Sequence, residues 1–539
     1  MPPISRALSS ASNGGSLALA RSVPRPRTAP RQIRAGVQVR SLTIRQLDEN
    51  QDGWAGYTLS RALDARKYQP VVVSPRSYFV FTPLLASTSV GTLEFRTALE
   101  PVRSRRSGTH FFQGWADDVN FARRTISIEQ AVEDHTQGRV LAREKHDDKT
   151  TEEKGKEQVA KDEKGDLFEM RYDKLIVTVG CYNQTFGTKG VKEHAFFLKD
   201  VSDARKIRNR MLACFETAAL PTTSPIMRKQ LLNFAVVGGG PTGIEFSAEL
   251  HDIIAEDMSK LYPELIQHFK ITVYDVADKV LSMFDDKLSK FAMDKFSRQG
   301  IDIRTSHHVE ELRKGVPAEV EKTGDVKDPE SCYTLKLKDG AEVGVGMCVW
   351  STGLMTNPFV EKALGGAIAH SQSGILFGAG TDTQTAEEWH VKRDAKSGAI
   401  ITDDRLRIRL APTADDDDSK DGRAALENVF ALGDCAVMEN SMYPATAQVA
   451  SQKATWLAKR LNKGDLDTNG FSYRDLGVMA YVGNWNAIMQ SGGGNISGRV
   501  AWLVWRGAYL AKSVSWRNRI LIPIYWVVNW LFGRDISRF

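Results

Sequence analysis

A glycine-rich turn that joins an apolar strand to a helix limits the folds that this chain can adopt more than any other segment does. The apolar run Phe234–Val237 leads into three glycines at G-x-G-x-x-G spacing, and a helical pattern follows. The first glycine permits a tight turn, the second lets the backbone approach a pyrophosphate, and the third lets the helix pack closely on the strand. Free N–H groups and the helix dipole at the start of such a helix favour an anion. The residues predicted to bind a dinucleotide in this way, rather than to form a turn without a ligand, are Gly238, Gly240, Pro241, Thr242 and Gly243.

The next strand of this predicted Rossmann-like domain indicates which dinucleotide binds. Lys270–Tyr274 has the pattern of that strand, and Asp275 follows it directly. An acid at this position accepts hydrogen bonds from the adenosine ribose and repels a 2′-phosphate. The sequence therefore predicts NADH rather than NADPH, with Asp275 as the ribose contact and Asp278 as an alternative for that role.

Weaker signals indicate a second nucleotide site. Leu175–Gly180 and Asn428–Asp434 have the pattern of buried strands, and both end at a glycine or at Gly-Asp. Either one alone is a common strand end. Together with Gly53–Gly56 further upstream, they have the order found in flavoproteins with two dinucleotide-binding domains.

Five segments together carry a resemblance to a known family. They are Gly53–Gly56, Pro75–Pro83, Gly238–Glu245, Ala431–Asp434 and Pro444–Ala450. The combination resembles the type II (alternative) NADH:ubiquinone oxidoreductases of mitochondria, and the charged insertions are similar to those of the fungal branch. The resemblance implies an α/β fold with two Rossmann-like dinucleotide-binding domains, for FAD and NADH, and a C-terminal membrane-associating helical segment. It also implies one non-covalent FAD, electron transfer from NADH to ubiquinone and no proton pumping.

The same resemblance assigns roles to single residues. Glu245 matches a family glutamate near the nicotinamide, although a carboxylate in a first helical turn also complements the helix dipole. Gln448 is the predicted quinone contact and Gln452 a weaker one, and both could instead face solvent as helix surface residues. The other residues that the resemblance places at a cofactor are Gly53, Gly56, Ser74, Thr82, Gly180, Gly353, Gly433, Asp434 and Ala447.

The first glycine motif departs from the family pattern. Gln51 stands where the first glycine belongs, and Arg45–Asn50 is too polar for a central strand. Three explanations are open: a faulty gene model at an exon boundary, a lineage that lost the strand, or a strand shifted to Val37–Ile44. We favour the first. If the sequence is real as written, the flavin pyrophosphate loses a turn and a supporting strand.

The N-terminal end is strongly basic. Residues 1–47 contain eight arginines and no acid, which is typical of a mitochondrial presequence, although a disordered basic tail has the same composition. We therefore expect a peripheral protein of the mitochondrial inner membrane. The predicted boundaries are 1–45 for the presequence, 46–230 and 354–470 for the two parts of the FAD-binding domain, 231–353 for the NADH-binding domain and 471–539 for a membrane-anchoring region.

The C-terminal end is basic and rich in tryptophan. Trp502, Trp505 and Tyr509 recur at helical spacing among cations. Apolar faces flanked by cations favour a helix that lies in the interface of an anionic membrane, and a dimer interface or a core helix are the alternatives. The charge-free apolar stretch Ile520–Gly533 is shorter than the ~20 residues of a spanning helix.

Two other functions are left open. A sulfide:quinone oxidoreductase has the same fold, but it needs paired cysteines, and Cys181, Cys348 and Cys435 lack that context. A catalytically silent, flavoprotein-like scaffold fits the altered first motif. Metal and nucleic-acid partners are not expected, because Asp417–Asn428 lacks the final glutamate of a calcium loop and the excess of positive charge lies at the two chain ends.

Overall fold

The computed structural model of the protein describes residues 40–45, 53–103, 108–132, 139, 165–370, 373–377, 388–412 and 424–538. All of these belong to one structural unit, Val39–Phe539. The predicted presequence as far as residue 39 and most of the acidic stretch, residues 413–423, lie outside the described residues.

The described chain contains both strands and α-helices, and most of the strands between Tyr333 and Met438 follow one another without an α-helix. The strands are β1 Arg40–Arg45, β2 Tyr68–Ser74, β3 Tyr78–Val80, β4 Leu99–Pro101, β5 His110–Asn120, β6 Thr125–Gln130, β7 Leu167–Arg171, β8 Lys174–Val177, β9 Cys181–Asn183, β10 Asn233–Val237, β11 Lys270–Tyr274, β12 Ile301–Arg304, β13 Val309–Lys314, β14 Tyr333–Leu337, β15 Glu342–Val345, β16 Met347–Trp350, β17 Leu354–Thr356, β18 Ile368–His370, β19 Ile375–Phe377, β20 Glu388–Val391, β21 Ile400–Thr402, β22 Arg407–Pro412, β23 Ala424–Ala431, β24 Ala436–Met438, β25 Val478–Tyr481, β26 Ala487–Ser491 and β27 Gly494–Gly498. The α-helices are α1 Trp54–Ala62, α2 Leu85–Ser89, α3 Val191–His194, α4 Val201–Ala219, α5 Pro225–Leu231, α6 Pro241–Ile253, α7 Ser259–Leu261, α8 Asp286–Arg298, α9 Ala318–Glu321, α10 Ala447–Lys463, α11 Arg499–Lys512 and α12 Trp516–Phe532. Short 3₁₀ or π segments lie at Thr82–Leu84, Phe95–Ala98, Ile254–Met258, Ile266–His268, Pro329–Ser331 and Phe359–Leu364.

A large sheet joins the first and the last parts of the chain. Its centre is formed by five neighbouring parallel strands in the order β23, β8, β1, β2 and β5. Val72, Ile176 and Phe430 on these strands are fully buried. Parallel strands are covered on both faces, which explains why such strands are apolar runs in sequence.

Strand β1 corrects the interpretation of the first glycine motif. It pairs in parallel with β2 and with β8, and Thr43 lies opposite both Val71 and Leu175. The sheet therefore has its central strand, close to the shifted position Val37–Ile44, and the explanation that the strand was lost is wrong. The gene-model error that we favoured is not needed to account for this sheet. The predicted presequence, residues 1–45, includes β1, and its boundary stays a prediction.

A smaller parallel sheet carries the glycine-rich turn. Its order is β12, β11, β10 and β16, and α6 begins directly after the turn that follows β10. The parallel sheets and their covering helices confirm the α/β fold with two Rossmann-like units.

The C-terminal region consists of the antiparallel strands β25–β27 followed by helices α11 and α12. The buried carboxylate of Glu100 fixes the start of α12, because its Oε1 accepts hydrogen bonds from the Ser515 N–H and from Asn518 Nδ2, both at 2.9 Å. Among the helices of the described residues, none has the length and apolar character needed to cross a membrane.

Candidate dinucleotide sites

The turn after β10 requires glycine at two of its three motif positions. Gly238 has a φ of +113°, and a Cβ there would overlap the carbonyl oxygen of Ser351. A Cβ on Gly243 would overlap the carbonyl oxygen of Gly238, so α6 approaches the strand closely only without a side chain. Gly240 differs, because no atom lies within 4 Å of the position of its Cβ. This open space at the start of α6 fits the pyrophosphate of a dinucleotide.

Asp275 follows β11 and faces the glycine turn. Its Oδ2 accepts a hydrogen bond from the Gly239 N–H, and its Oδ1 accepts one from the Ala277 N–H at 2.7 Å. It also lines a cavity of about 260 Å³ together with Gly240, whereas Asp278 is exposed and is not among the lining residues. The position fits the ribose contact predicted for Asp275, which stays a prediction.

A second cleft lies where the ends of β8 and β23 meet the first turns of α1 and α10. The residues that line it are Gly53, Trp54, Ala55, Thr178, Gly180, Gly433, Asp434, Ala447 and Ala450. Gly180 and Gly433 have φ values of +63° and +88°, which side-chain-bearing residues rarely adopt. Gly56 is buried within α1. Two helices begin at this cleft, and the N–H groups and dipoles of their first turns favour the phosphates of a second nucleotide such as FAD.

A third cavity, of about 350 Å³, connects the two nucleotide sites and is called the reaction cavity below. The predicted site residues that line it are Thr82, Pro241, Thr242, Glu245, Asp434 and Ala447. They come from four separate segments of the sequence. Trp54, whose Nε1 donates to Thr82 Oγ1 at 3.2 Å, lies on the same wall. Lys199, Trp350 and Met479, which the sequence did not single out, also line it, as does Tyr509 from the predicted membrane-facing helix.

Glu245 is the buried acid of the reaction cavity. Its Oε1 accepts hydrogen bonds from the Tyr481 N–H at 3.1 Å and from Trp505 Nε1 at 3.2 Å. The rings of Tyr481 and Trp505 stack with centroids 5.3 Å apart, which closes the cavity on this side. Desolvation raises the pKa of Glu245 to about 8, although these two hydrogen bonds act in the opposite direction. The acid is therefore mostly neutral at pH 7.

Gln448 and Gln452 are bound to a backbone segment beside the cavity. Gln448 Oε1 accepts from the Leu476 N–H at 3.0 Å, and its Nε2 donates to the Gly477 carbonyl at 3.2 Å. Gln452 Nε2 donates to the Arg474 carbonyl at 2.8 Å. Neither side chain is among those that line the reaction cavity. Direct quinone contact by either residue stays a prediction, and the contacts described give both another task, which is to hold this segment.

Two further predicted residues lie near the nucleotide sites. Ser74 ends β2, is buried, and accepts from the Arg76 N–H at 3.2 Å, so its hydroxyl shapes the loop that follows. Gly353 lines the 260 Å³ cavity next to Thr352, which borders the reaction cavity as well. Cofactor contact by Ser74 and Gly353 stays a prediction.

Two Rossmann-like units with nucleotide clefts that meet at one cavity define a dinucleotide-dependent flavoprotein oxidoreductase. Residues 52–376 match the family model described as pyridine nucleotide-disulphide oxidoreductase, and residues 476–535 match the NDH2 C-terminal domain. The chain is 36% identical over 494 residues to a probable NADH dehydrogenase of Dictyostelium discoideum, with 90% of each chain covered. It is 32% identical to the mitochondrial external alternative NAD(P)H-ubiquinone oxidoreductase B1 of Solanum tuberosum, with 90% of this chain and 89% of the relative covered. The protein belongs to this family, the type II NADH dehydrogenases or alternative NAD(P)H-ubiquinone oxidoreductases.

Solved structures show the same fold at low identity. The NDH2 of Plasmodium falciparum in complex with NADH matches with a TM-score of 0.70 and 20% identity, over 93% of this chain and 100% of that chain. The sulfide:quinone oxidoreductase of Aquifex aeolicus matches with a TM-score of 0.55 and 13% identity, over 92% and 96% of the two chains. The fold is therefore shared by both enzyme classes and does not separate them.

Proposed function

We propose that this protein transfers electrons from NADH to ubiquinone through a bound FAD at the mitochondrial inner membrane, without pumping protons. The observation that carries the proposal is the reaction cavity, because residues from both nucleotide motifs line it. Membership of the alternative NAD(P)H-ubiquinone oxidoreductases supports it, and the relatives from potato are named as mitochondrial proteins.

The residues of the two clefts would hold the cofactors. In the cleft lined by Gly180 and Gly433, Asp434 would hold the ribityl-phosphate part of FAD, while the space beside Gly240 would take the NADH pyrophosphate. Asp275 would meet the adenosine ribose and disfavour a 2′-phosphate, which supports NADH as the substrate. The chemistry that a bound FAD supplies is acceptance of a hydride from NADH and passage of two electrons to the quinone.

Glu245 is the residue that would handle a proton. Reduction of a quinone to a quinol by NADH consumes one proton besides the hydride. Burial keeps Glu245 mostly protonated at pH 7, with a pKa of about 8. Since Oε1 accepts two N–H groups, the proton of the neutral acid resides on Oε2. We infer that Glu245 supplies this proton at the wall of the reaction cavity.

Gln448 would act on the quinone path through the segment that it holds. Two of its hydrogen bonds fix Leu476 and Gly477, immediately before strand β25. Met479 on that strand lines the reaction cavity. Gln448 would thus position the wall along which the quinone approaches.

The C-terminal helices would bring the enzyme to the membrane that holds its quinone. Exposed apolar side chains cover one side of α11 and α12: Val500, Leu503, Val504, Trp516, Ile520, Ile524, Val527, Val528, Trp530, Leu531 and Phe532. An apolar patch of this extent marks an interaction surface, and the neighbouring cations suit an anionic lipid surface. A homodimer that uses part of this surface is the second possibility.

Replacement of Ile520 and Val527 together by glutamate is expected to lower binding to vesicles at least tenfold. The two side chains are 59% and 55% exposed on the outer face of α12, so charges there penalise entry into the lipid interface without disturbing the core. Flotation with phosphatidylcholine–phosphatidylglycerol vesicles measures the effect. Leu220→Glu, at an apolar residue exposed elsewhere, is the control; equal losses in both variants, or a change from dimer to monomer without loss of binding, would contradict membrane contact by this face.

The proposed function is tested by the visible spectrum of the full-length protein in detergent. A flavin band that is bleached by anaerobic NADH and restored by a soluble ubiquinone analogue is the expected result. Protein with bound flavin that passes no electrons from NADH to quinone would overturn the proposal, and protein that binds no flavin would favour a silent scaffold.

The burial of the cysteines disfavours the alternative function, a sulfide:quinone oxidoreductase. Desolvation raises the pKa values of Cys348 and Cys435 to about 12, so neither offers a thiolate near neutral pH. All five cysteines lie in the described part of the chain, and none forms a disulfide. Bleaching of the flavin by sulfide but not by NADH would be the contrary result.

A further inference from the structure

A large cavity lies apart from the reaction cavity. It has a volume of about 700 Å³ and lies between the end of α6, the segment Ile254–Met258 and the helices α11 and α12. The two cavities share no lining residue. The contacts of the Glu245 carboxylate with Tyr481 and Trp505 lie on the boundary between them.

Arg506 places a positive charge in this cavity. Its guanidinium carbon lies 4.3 Å from the centroid of the Trp502 ring and 4.2 Å from that of Trp526. The two indoles hold the planar group, as aromatic rings commonly do with arginine. Within the described residues Arg506 forms no hydrogen bond or ion pair, and its Nε is buried without a partner. Glu249 and Glu256 are close enough to interact with its charge.

The carboxylates of the same cavity are already engaged. Glu249 accepts from Ser87 Oγ at 2.6 Å and from Thr92 Oγ1 at 2.8 Å. Asp252 accepts from the Tyr481 hydroxyl and from the Asn484 N–H.

Arg534 forms ion pairs with the other two acids of the cavity. It donates to Glu256 at 2.7 Å and to Asp257 at 2.6 Å. Arg506 is therefore left without a hydrogen-bonding partner among the described residues, and Lys260 is a second cation in the lining.

The outer rim of the cavity belongs to the apolar end of α12. Trp530 and Phe532 line it and are 70% and 82% exposed. A ligand that fills this space therefore needs an anionic group for Arg506 and an apolar part for the rim. A phospholipid has both.

We propose that this cavity binds an anionic phospholipid of the membrane, with its phosphate on the guanidinium of Arg506 and its acyl chains along the exposed end of α12. Guanidinium–phosphate pairs form charge-assisted and often bidentate hydrogen bonds, which gives Arg506 the acceptors it lacks. The proposal rests on the proposed contact of α11 and α12 with the membrane. It adds a specific lipid site to a contact that otherwise depends on apolar area and overall charge.

Native mass spectrometry of the full-length, flavin-loaded protein, titrated with phosphatidylglycerol from detergent micelles, tests the site. One bound lipid is expected, and Arg506→Gln is expected to weaken its binding about tenfold or more, the range for loss of a charged hydrogen-bonding partner. Lys512→Gln is the matched control, because it removes one exposed charge from the same helix outside the cavity. Arg506→Lys keeps the charge without the planar donor pair and should bind with intermediate affinity.

Several outcomes would overturn the lipid site. They are equal lipid binding by Arg506→Gln and the wild type, displacement of the lipid by millimolar inorganic phosphate alone, and displacement by decylubiquinone, which would assign the cavity to the quinone. If Arg506→Gln loses flavin or melts at a lower temperature, lipid binding is compared between Arg506→Lys and Lys512→Gln instead. Equal lipid binding by these two variants would then overturn the site. NADH oxidation with a soluble quinone is measured on the same samples, so a failure of the enzyme function is seen separately from a failure of lipid binding.

Discussion

Replacement of Gly240 by alanine is expected to raise the KM for NADH about tenfold or more while the fold and the flavin content stay unchanged. The backbone of Gly240, with φ −72° and ψ 176°, suits any residue, and no atom lies within 4 Å of the added Cβ. The methyl group would instead occupy the space that fits the pyrophosphate, at the start of α6. Steady-state kinetics with NADH at saturating soluble quinone measures the effect.

Gly243→Ala provides the contrasting control for this experiment. A Cβ there meets the backbone carbonyl of Gly238, so the strand and the helix must move apart. We expect this variant to melt at a lower temperature before any specific effect on NADH is seen. An unchanged KM in Gly240→Ala, or equal loss of thermal stability in both variants, would show that the nucleotide does not lie beside Gly240.

The parts of the molecule that sequence patterns predicted well are those with a local signal. Strand β10, the glycine turn and α6 follow one another within a few residues, and each residue type has a steric reason to be there. The same holds for Asp275, which directly follows β11. Local order of this kind is visible in a single sequence because strand, turn and helix depend on near neighbours.

Strand β1 shows how a tertiary environment can override a local pattern. Its sequence begins and ends with arginine, Arg40 and Arg45, whereas a central parallel strand is usually a continuous apolar run. The composition therefore favoured a missing strand. Pairing with β2 on one side and β8 on the other supplies the hydrogen bonds that the strand needs, and neither partner is near it in sequence.

The contacts of Glu245 could not be derived from sequence for a similar reason. Tyr481 and Trp505 contact Glu245 across more than 200 residues of chain, and nothing in their own segments indicates that partner. The aromatic spacing of α11 predicted a membrane-facing helix, yet Trp505 is buried and points inward. Gln448 likewise has partners in a loop beyond the end of its own helix, which helical position alone does not reveal.

The second large effect concerns the proton carried by Glu245. We expect Glu245→Gln to lower kcat with a soluble quinone about 100-fold at pH 7, the typical contribution of a positioned general acid. The wild-type rate should fall as the pH rises through about 8, because burial raises the pKa of the carboxyl to that value and its ionised form has no proton to give. The variant should be slow at every pH and lack this step.

The same pKa shift predicts how stability changes with pH. A carboxyl whose pKa rises on folding, here from 4.5 to about 8, makes a contribution to stability that is complete below pH 4.5 and is lost as the pH rises to 8. Melting temperatures of the wild type should therefore fall relative to those of Glu245→Gln across that interval. If the melting temperatures of the two proteins changed with pH in the same way, Glu245 would already be ionised at neutral pH.

Glu249→Gln is the matched control for both pH experiments. Glu249 lies one turn further along α6 and is also buried with a raised pKa, because desolvation opposes its ionisation. It is held by Ser87 and Thr92 and lines the other cavity, so its replacement should leave the pH dependence of quinone reduction in place.

A Glu245→Gln variant that only raises the KM for NADH, with the wild-type pH profile intact, would assign Glu245 to positioning of the nicotinamide and place the proton source elsewhere. Separate measurement of flavin reduction by NADH and of its reoxidation by quinone distinguishes these roles, since a proton donor to the quinone affects the second rate and a nicotinamide contact the first.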